Sequence, residues 1–93
     1  MPNKNYLKGY RFEKKTQKYL ENIGYITYRQ AKSSFPDIIA IKKGETVLVE
    51  CKVNGKLSRK EKENAKEIYE ITGIIFMLAY NENGKVKLKK LYG

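Results

Sequence analysis

The fold of this chain is decided by the stretch PDIIAI at residues 36–41 and by VLVECKV at residues 47–53. Both are apolar runs rich in Val and Ile, as is typical of β-strands. The short turn between them predicts an antiparallel hairpin of strands 37–41 and 46–53. Residues i and i+2 of a strand point to the same face, so Glu50 and Lys52 are expected to project together. Burying such charges is costly unless they bind something, so this hairpin is the candidate functional region.

Two carboxylates mark the hairpin, Asp37 at the start of its first strand and Glu50 inside its second. Together they form a hard-oxygen site suited to Mg²⁺ or Mn²⁺, beside which Lys52 can orient a water or neutralise developing charge. Asp37 could instead begin a strand or cap a turn, and Glu50 with Lys52 could form a surface ion pair. Their apolar neighbours favour burial, where such a pair needs a functional reason. The pattern indicates metal-dependent phosphodiester cleavage.

The charge balance points to the same substrate class. The 93 residues carry 20 Lys and Arg against 10 Asp and Glu, a formal net charge of +10. A basic excess of this size suits a polyanion, usually nucleic acid, whereas a thermophile-type surface rich in Lys and Glu would be closer to charge balance. With no histidine and one cysteine, zinc sites and histidine-based triads are excluded. The length predicts a single domain over residues 1–93.

The sequence also predicts where the protein works. No stretch approaches the ~20 apolar residues of a membrane-spanning helix, and the N-terminus lacks the apolar core of a signal peptide. The lone Cys51 allows no internal disulfide, which fits a reducing compartment. We therefore expect a cytoplasmic protein without a membrane partner. The composition, rich in Lys, Ile, Tyr and Glu and without Trp or His, is compatible with an archaeal or viral source.

The pattern of apolar residues predicts the element order α-β-β-β-α-β-β and an α/β fold with a mixed sheet. The second helix has the clearest signal, because Ser58 and Glu61 fit a capping box. It is expected to bury Ala65, Ile68, Tyr69 and Thr72. The predicted elements are a helix over residues 3–22, strands over 24–29, 37–41 and 46–53, a helix over 58–72, a central strand over 74–80 and an edge strand over 85–89.

Three separated elements carry a family resemblance. Asp37 follows Pro36, the segment ECK at residues 50–52 comes thirteen residues later, and KGYRFE at residues 8–13 lies in the first helix. Over residues 8–72 the chain resembles the PD-(D/E)xK nuclease superfamily and, within it, the archaeal-type Holliday junction resolvases. The resemblance implies a restriction-endonuclease-like fold, with a central mixed five-stranded sheet flanked by helices.

The resemblance also implies the roles of the site residues. The catalytic set would be Glu13, Asp37, Glu50 and Lys52. Asp37, Glu50 and the backbone carbonyl of Cys51 would hold Mg²⁺, for which Mn²⁺ would substitute, and Glu13 would bind it directly or through water. The second helix should add one supporting side chain, and the sequence leaves the choice open among Glu61, Lys62 and Asn64.

Basic and hydroxyl side chains around the site are expected to contact the DNA backbone. Any single lysine is more often a solvated surface group, and Tyr6, Tyr10, Tyr25 and Tyr28, which could stack on bases, more often belong to a core. The predicted DNA-binding residues are Lys8, Arg11, Arg29, Lys32, Ser33, Ser34, Lys56 and Arg59.

The favoured function is a metal-dependent, structure-selective DNA endonuclease that resolves Holliday junctions. A two-fold symmetric junction needs two paired cuts, so a homodimer is expected, with the apolar run 74–79 and the tyrosine-rich first helix supplying apolar surface. Two alternatives stay open: a small repair or restriction-like nuclease acting on flaps, ends or single strands, and a non-catalytic nucleic-acid-binding domain of the same fold. The sequence leaves open the substrate geometry, the cut position and the number of metal ions.

Overall fold

The structure is a computed structural model that describes residues 4–30 and 34–93, with side chains described from Leu7 onward. The predicted order α-β-β-β-α-β-β is confirmed. The elements are α1 (Lys4–Asn22), β1 (Ile26–Arg29), β2 (Ile38–Lys42), β3 (Glu45–Cys51), α2 (Arg59–Thr72), β4 (Ile75–Glu82) and β5 (Lys85–Tyr92).

The strands form one mixed five-stranded sheet, as predicted, and their order in the sheet is β1-β2-β3-β4-β5. Three neighbouring pairs are antiparallel, and β3 with β4 is the parallel pair. Parallel neighbours need a crossover connection, and α2 provides it. This arrangement places β3, the strand that carries Glu50, at the centre of the sheet, where the neighbouring strands β2 and β4 flank it.

The two helices cover opposite faces of the sheet. Successive strand residues point to opposite faces, so β2, β3, β4 and β5 each contribute side chains to both packing clusters. On the α1 face, Phe12 and Leu20 pack with Ile38 and Val49. On the α2 face, Ala65 packs with Leu48 and Phe76. Alternation puts Glu50 on the same face as Leu48, so the carboxylate points toward α2.

The ends of α2 follow the sequence signals. The Ser58 hydroxyl accepts a hydrogen bond from the backbone N–H of Glu61, and the Glu61 carboxylate accepts one from the backbone N–H of Ser58, so the predicted capping box is present. Gly73 ends the helix with φ 69°, a left-handed conformation that glycine adopts without steric cost. The capping box therefore fixes the first residue of α2, Arg59, seven residues after Lys52.

Several predictions of detail were wrong. Thr72 is exposed, with its hydroxyl bonded to the Ile68 carbonyl. The third strand ends at Cys51 rather than residue 53, because its Cys51 N–H bonds to the Asp37 carboxylate instead of continuing a ladder with β2. Within the run 74–79, Phe76, Leu78 and Ala79 are buried inside the protomer and offer no surface to a dimer. Asn3, predicted to start the first helix, lies outside the described residues.

Across the described residues, neither helix combines the length and the apolar character that crossing a bilayer requires.

Candidate active site

The two hairpin carboxylates meet where β2 begins and β3 ends. The antiparallel register pairs Ile38 with Val49, which brings Asp37 opposite Glu50. The Asp37 backbone N–H donates to Glu50 Oε1 at 3.1 Å. In return, Asp37 Oδ2 accepts a hydrogen bond from the backbone N–H of Cys51 at 2.9 Å. Each carboxylate is therefore oriented by the backbone of the other strand.

The electrostatic environment of this pair is unfavourable to two negative charges. Glu50 is only 5% exposed, and burial followed by the negative charge of Asp37 raises the pKa of Glu50 to about 8. Burial also raises the pKa of Asp37, although its hydrogen bond from Cys51 and the charge of Lys52 oppose the shift. Desolvation and a nearby like charge both disfavour the ionised form of a carboxyl group. A cation bound at this site would compensate the negative charge of the pair.

Lys52 is the positive charge beside this pair. Its Nζ lies 3.9 Å from Glu50 Oε2 and 2.6 Å from Glu61 Oε2. Burial works to lower the pKa of Lys52, but the hydrogen bond and charge of Glu61 outweigh it and raise the pKa. Lys52 is therefore a protonated ammonium group placed between a carboxylate of the sheet and a carboxylate of α2.

Of the three α2 candidates, Glu61, Lys62 and Asn64, it is Glu61 that forms an ion pair with Lys52. Its two carboxylate oxygens have different partners. Oε1 accepts the backbone N–H of Ser58 at 2.9 Å, and Oε2 meets Lys52. The capping box that starts α2 thus also orients Glu61 toward Lys52.

Glu13 approaches from α1, on the other layer. Its Oε1 pairs with Arg29 Nη1 at 3.1 Å, and the Arg29 guanidinium also lies over the Tyr10 ring, 4.8 Å from its centroid. Burial and the charge of Asp37 raise the pKa of Glu13 against the opposing effect of Arg29. The negative charge of Asp37 therefore acts on Glu13, although the ion pair of Glu13 is with Arg29.

Gln30 is a supporting residue that the sequence analysis did not single out. Its backbone N–H donates to the Asp37 carbonyl at 2.8 Å, and its side-chain amide donates to the Pro36 carbonyl at 2.6 Å. These two bonds hold the segment that presents Asp37. The sequence does not predict these contacts of Gln30, because they depend on how β1 pairs with β2.

A cleft lies beside Lys52, between the first turns of α1 and the end of β3. Its volume is about 340 Å³, and its lining includes Lys8, Gly9 and Phe12 from α1 with Lys52 and Asn54. Apart from the two chain neighbours of Gly9 and the nearby backbone of α1, no described atom lies within 4 Å of the position that a Cβ on Gly9 would take. Lys8 is exposed at this cleft, so one of the predicted DNA-binding residues borders the site directly.

The other predicted DNA-binding residues are spread more widely. Arg11 and Lys56 are exposed and Ser34 is half-buried. Arg59 pairs with Glu63 at 3.4 Å on the outer surface of α2, and Arg29 is engaged with Glu13. Lys32 and Ser33 lie outside the described residues, as does the Tyr6 side chain.

The donor set fits a hard divalent cation. Within residues 4–30 and 34–93, no three acidic or cysteine side chains form a complete metal-ligand group. Asp37 and Glu50 nevertheless supply two carboxylates in one half-buried place, and oxygen ligands with retained waters are what Mg²⁺ prefers. The raised pKa of Glu50 supports the fit, since a bound cation would favour the ionised carboxylate.

A mixed five-stranded sheet that presents Asp37 opposite Glu50, with Lys52 two residues further on, has the arrangement of the PD-(D/E)xK superfamily core. The particular family follows from the sequence as a whole. The family model for archaeal Holliday junction resolvases (Hjc) matches residues 4–88, and the chain belongs to that family.

One relative agrees with this assignment, and one solved structure shares the fold. The crossover junction endodeoxyribonuclease Hjc of Methanocaldococcus jannaschii is 34% identical over 85 residues, covering 87% of this chain and 64% of the relative. The crystal structure of Archaeoglobus fulgidus Hjc, a Holliday junction resolvase, superposes with a TM-score of 0.76 at 24% identity, over 90% of this chain and 73% of that one. The chain thus spans somewhat less than two thirds of the length of the relative, and the solved structure confirms the fold.

Proposed function

We propose that the protein is a metal-dependent endodeoxyribonuclease that resolves four-way DNA junctions. The observation that carries the proposal is the pair of buried Glu50 and half-buried Asp37 beside the ammonium group of Lys52, in which a backbone N–H of each strand bonds the carboxylate of the other. Membership in the archaeal Holliday junction resolvase family supports the junction as substrate. The net charge of +10 supports a polyanionic partner.

A divalent cation, Mg²⁺ or in its place Mn²⁺, would be held by Asp37, Glu50 and the Cys51 carbonyl, with Glu13 directly or through water, and would supply Lewis-acid activation of water and phosphate. Asp37 and Glu50 are fixed for this task by the hydrogen bonds that join β2 to β3. Lys52 orients the attacking water or stabilises negative charge on the phosphate in the transition state.

The test is cleavage of a labelled panel of four-way junction, flap, duplex and single strand with Mg²⁺. Wild-type protein is compared with Asp37→Asn and with Glu67→Gln, a matched acid-to-amide change on the exposed surface of α2. We expect paired, symmetric cuts in the junction with wild type and Glu67→Gln, and none with Asp37→Asn.

Other outcomes separate the alternatives. Mutant-sensitive cleavage of flaps or ends would retain the metal site and reject the junction as substrate. Binding without any cleavage, with Mn²⁺ also tried, would identify a DNA-binding domain that is not a nuclease.

A homodimer is part of the proposal, because two symmetric cuts require two sites. Part of the exposed apolar surface of the described residues lies near the β1 edge, where Ile26 is 64% exposed, Tyr28 59% and Ile41 41%. Ile71, near the end of α2, is 75% exposed. Sedimentation velocity of the free protein should give the mass of two chains. A monomer that remains monomeric on junction DNA would contradict this part.

A further inference from the structure

We infer that Glu61 is a positioning residue that holds the Lys52 ammonium group away from Glu50, so that Glu50 stays available to the metal ion. This inference rests on the proposed function, since it concerns the metal-binding carboxylate of the same site. It assigns Glu61 a task that is separate from its place in the capping box.

The distances around Lys52 carry the inference. The ammonium group lies 2.6 Å from Glu61 Oε2 and 3.9 Å from Glu50 Oε2. Lys52 is thus hydrogen-bonded to Glu61 and only in ionic contact with Glu50. A lysine on a flexible four-carbon stem moves to whichever anion attracts it most.

The consequence of losing Glu61 follows from the same geometry. With the Glu61 charge removed, Glu50 becomes the nearest carboxylate to Lys52 among the described residues. Glu50 is 5% exposed, so water screens this attraction poorly. Lys52 would then close on Glu50, and a divalent cation would have to displace an ammonium group before it could bind.

Glu61 is itself held in place by the chain. Its Oε1 accepts the Ser58 backbone N–H at 2.9 Å, and the Ser58 hydroxyl accepts the Glu61 backbone N–H at 3.1 Å. The carboxylate therefore has one oxygen fixed to the start of α2 and the other turned to Lys52. The bond from the Ser58 backbone N–H, which a side-chain substitution at Ser58 leaves in place, makes the Glu61 carboxylate a fixed anchor, which a flexible surface glutamate would not be.

Two variants separate the two tasks of Glu61. Glu61→Gln keeps an oxygen that can accept the Ser58 N–H, because glutamine also serves in a capping box, but removes the charge facing Lys52. Ser58→Ala removes the capping hydroxyl and leaves the Glu61 carboxylate intact. Both are compared with Glu67→Gln, which removes the same charge from an exposed site further along α2.

The first readout is Mn²⁺ binding to the free protein, measured by electron paramagnetic resonance, with no turnover involved. Glu61→Gln is expected to weaken Mn²⁺ binding about 10-fold, the scale on which residues behind a metal ligand act. Ser58→Ala and Glu67→Gln are expected to bind Mn²⁺ like wild type, while Ser58→Ala lowers the melting temperature. Junction cleavage at saturating DNA should follow the Mn²⁺ affinity.

A double-mutant cycle with Lys52→Met excludes a general effect of net charge. If Glu61 acts through Lys52, adding Glu61→Gln to Lys52→Met changes Mn²⁺ affinity by less than about twofold, because no ammonium group remains to compete. An equal loss in both backgrounds would overturn the inference, as would wild-type Mn²⁺ affinity in Glu61→Gln.

Failure of this inference can be told apart from failure of the proposed function. Wild-type protein that cleaves junctions, together with an unaffected Glu61→Gln, refutes the role of Glu61 alone. Wild-type protein that neither binds Mn²⁺ nor cleaves DNA refutes the nuclease and this inference with it.

Discussion

Each helix brings one glutamate to the site, and the surroundings shift the pKa values of the two glutamates in opposite directions. The side chains are similarly exposed, 21% for Glu13 on α1 and 25% for Glu61 on α2. Each has one basic partner, Arg29 for Glu13 and Lys52 for Glu61. Yet the pKa of Glu13 is raised and that of Glu61 is lowered.

The difference lies in what else surrounds each carboxylate. Burial disfavours the charge on both. For Glu13, the negative charge of Asp37 adds to burial and outweighs Arg29. For Glu61, the contact with Lys52 and the hydrogen bonds with Ser58 outweigh burial. The protein itself stabilises the ionised form of Glu61, which can therefore serve as a fixed support. The ionised form of Glu13 is disfavoured, so this carboxylate is suited to binding a cation from solution.

The largest effect that tests this contrast is on cleavage. Glu13→Gln is expected to lower the junction cleavage rate about 100-fold, as for loss of a group that supports a bound metal. The melting temperature at pH 8 should not fall, since the substitution removes an unfavourable charge. Single-turnover kinetics and thermal unfolding measure the two quantities. A destabilised Glu13→Gln with normal cleavage would mean that Glu13 is structural.

The second effect is on the pH dependence of stability without metal. The pKa of Glu50 rises from 4.5 unfolded to about 8 folded. A raised folded pKa gives a stabilisation that is complete below pH 4.5 and is lost as the pH rises toward 8. Asp37 and Glu13 shift in the same direction, whereas the stabilisation from Glu61 is lost only at acid pH because its pKa is lowered.

We therefore expect the free energy of unfolding in EDTA to fall by roughly 2 kcal/mol between pH 5 and pH 8. Mg²⁺ should restore more stability at pH 8 than at pH 5, because it binds the ionised carboxylates. Denaturant titrations at both pH values measure this, with Glu50→Gln as the variant that flattens the profile. Stability that rises from pH 5 to pH 8 in EDTA would contradict the electrostatic description of the pair.

A smaller effect concerns the support on α2. Ser58→Ala should destabilise the fold by about 1 kcal/mol through loss of the N-cap, which for a domain of this size lowers the melting temperature by roughly 4–8 °C. Differential scanning calorimetry gives the shift. An unchanged melting temperature would show that the hydrogen bond from the Glu61 N–H to the Ser58 hydroxyl does not stabilise the fold.

The smallest effect concerns the backbone of α1. Gly9 lies inside the helix, and no described atom beyond its two chain neighbours and the nearby backbone of α1 would contact a Cβ there. Gly9→Ala should stabilise the protein by about 0.5–1 kcal/mol. It should also weaken junction binding, because the added methyl group projects into the cleft beside Lys52. Thermal unfolding and fluorescence anisotropy measure the two opposite changes. A higher melting temperature with unchanged affinity for junction DNA would show that DNA does not bind in the cleft at Gly9.

The sequence predicted the parts of the fold and site that depend on local patterns. The hairpin 37–53 places Asp37 opposite Glu50 through strand register, and register follows from alternating apolar residues and a short turn. The start of α2 followed from the capping box of Ser58 and Glu61.

The sequence could not predict contacts that depend on how elements pack. Glu61, Lys62 and Asn64 lie in the first turns of one helix, and only the rotation of α2 against β3 selects Glu61 for Lys52. The packing of α1 on β1 also places Arg29 against Glu13, 16 residues away in the chain, a contact that the sequence did not predict. These pairings are decided by the tertiary structure.

The parallel pairing of β3 with β4 has a consequence for the newly made chain. The register sets Glu50 beside Leu78, so part of the burial of Glu50 is provided by a strand that begins at Ile75. Every proposed catalytic residue leaves the ribosome before that strand does. Until β4 docks, β3 is an edge strand with its carboxylate in water. A nascent or truncated chain therefore carries all the proposed catalytic side chains without the folded surroundings of Glu50, and the proposed cutting activity would be acquired only once β4 has been synthesised and has docked.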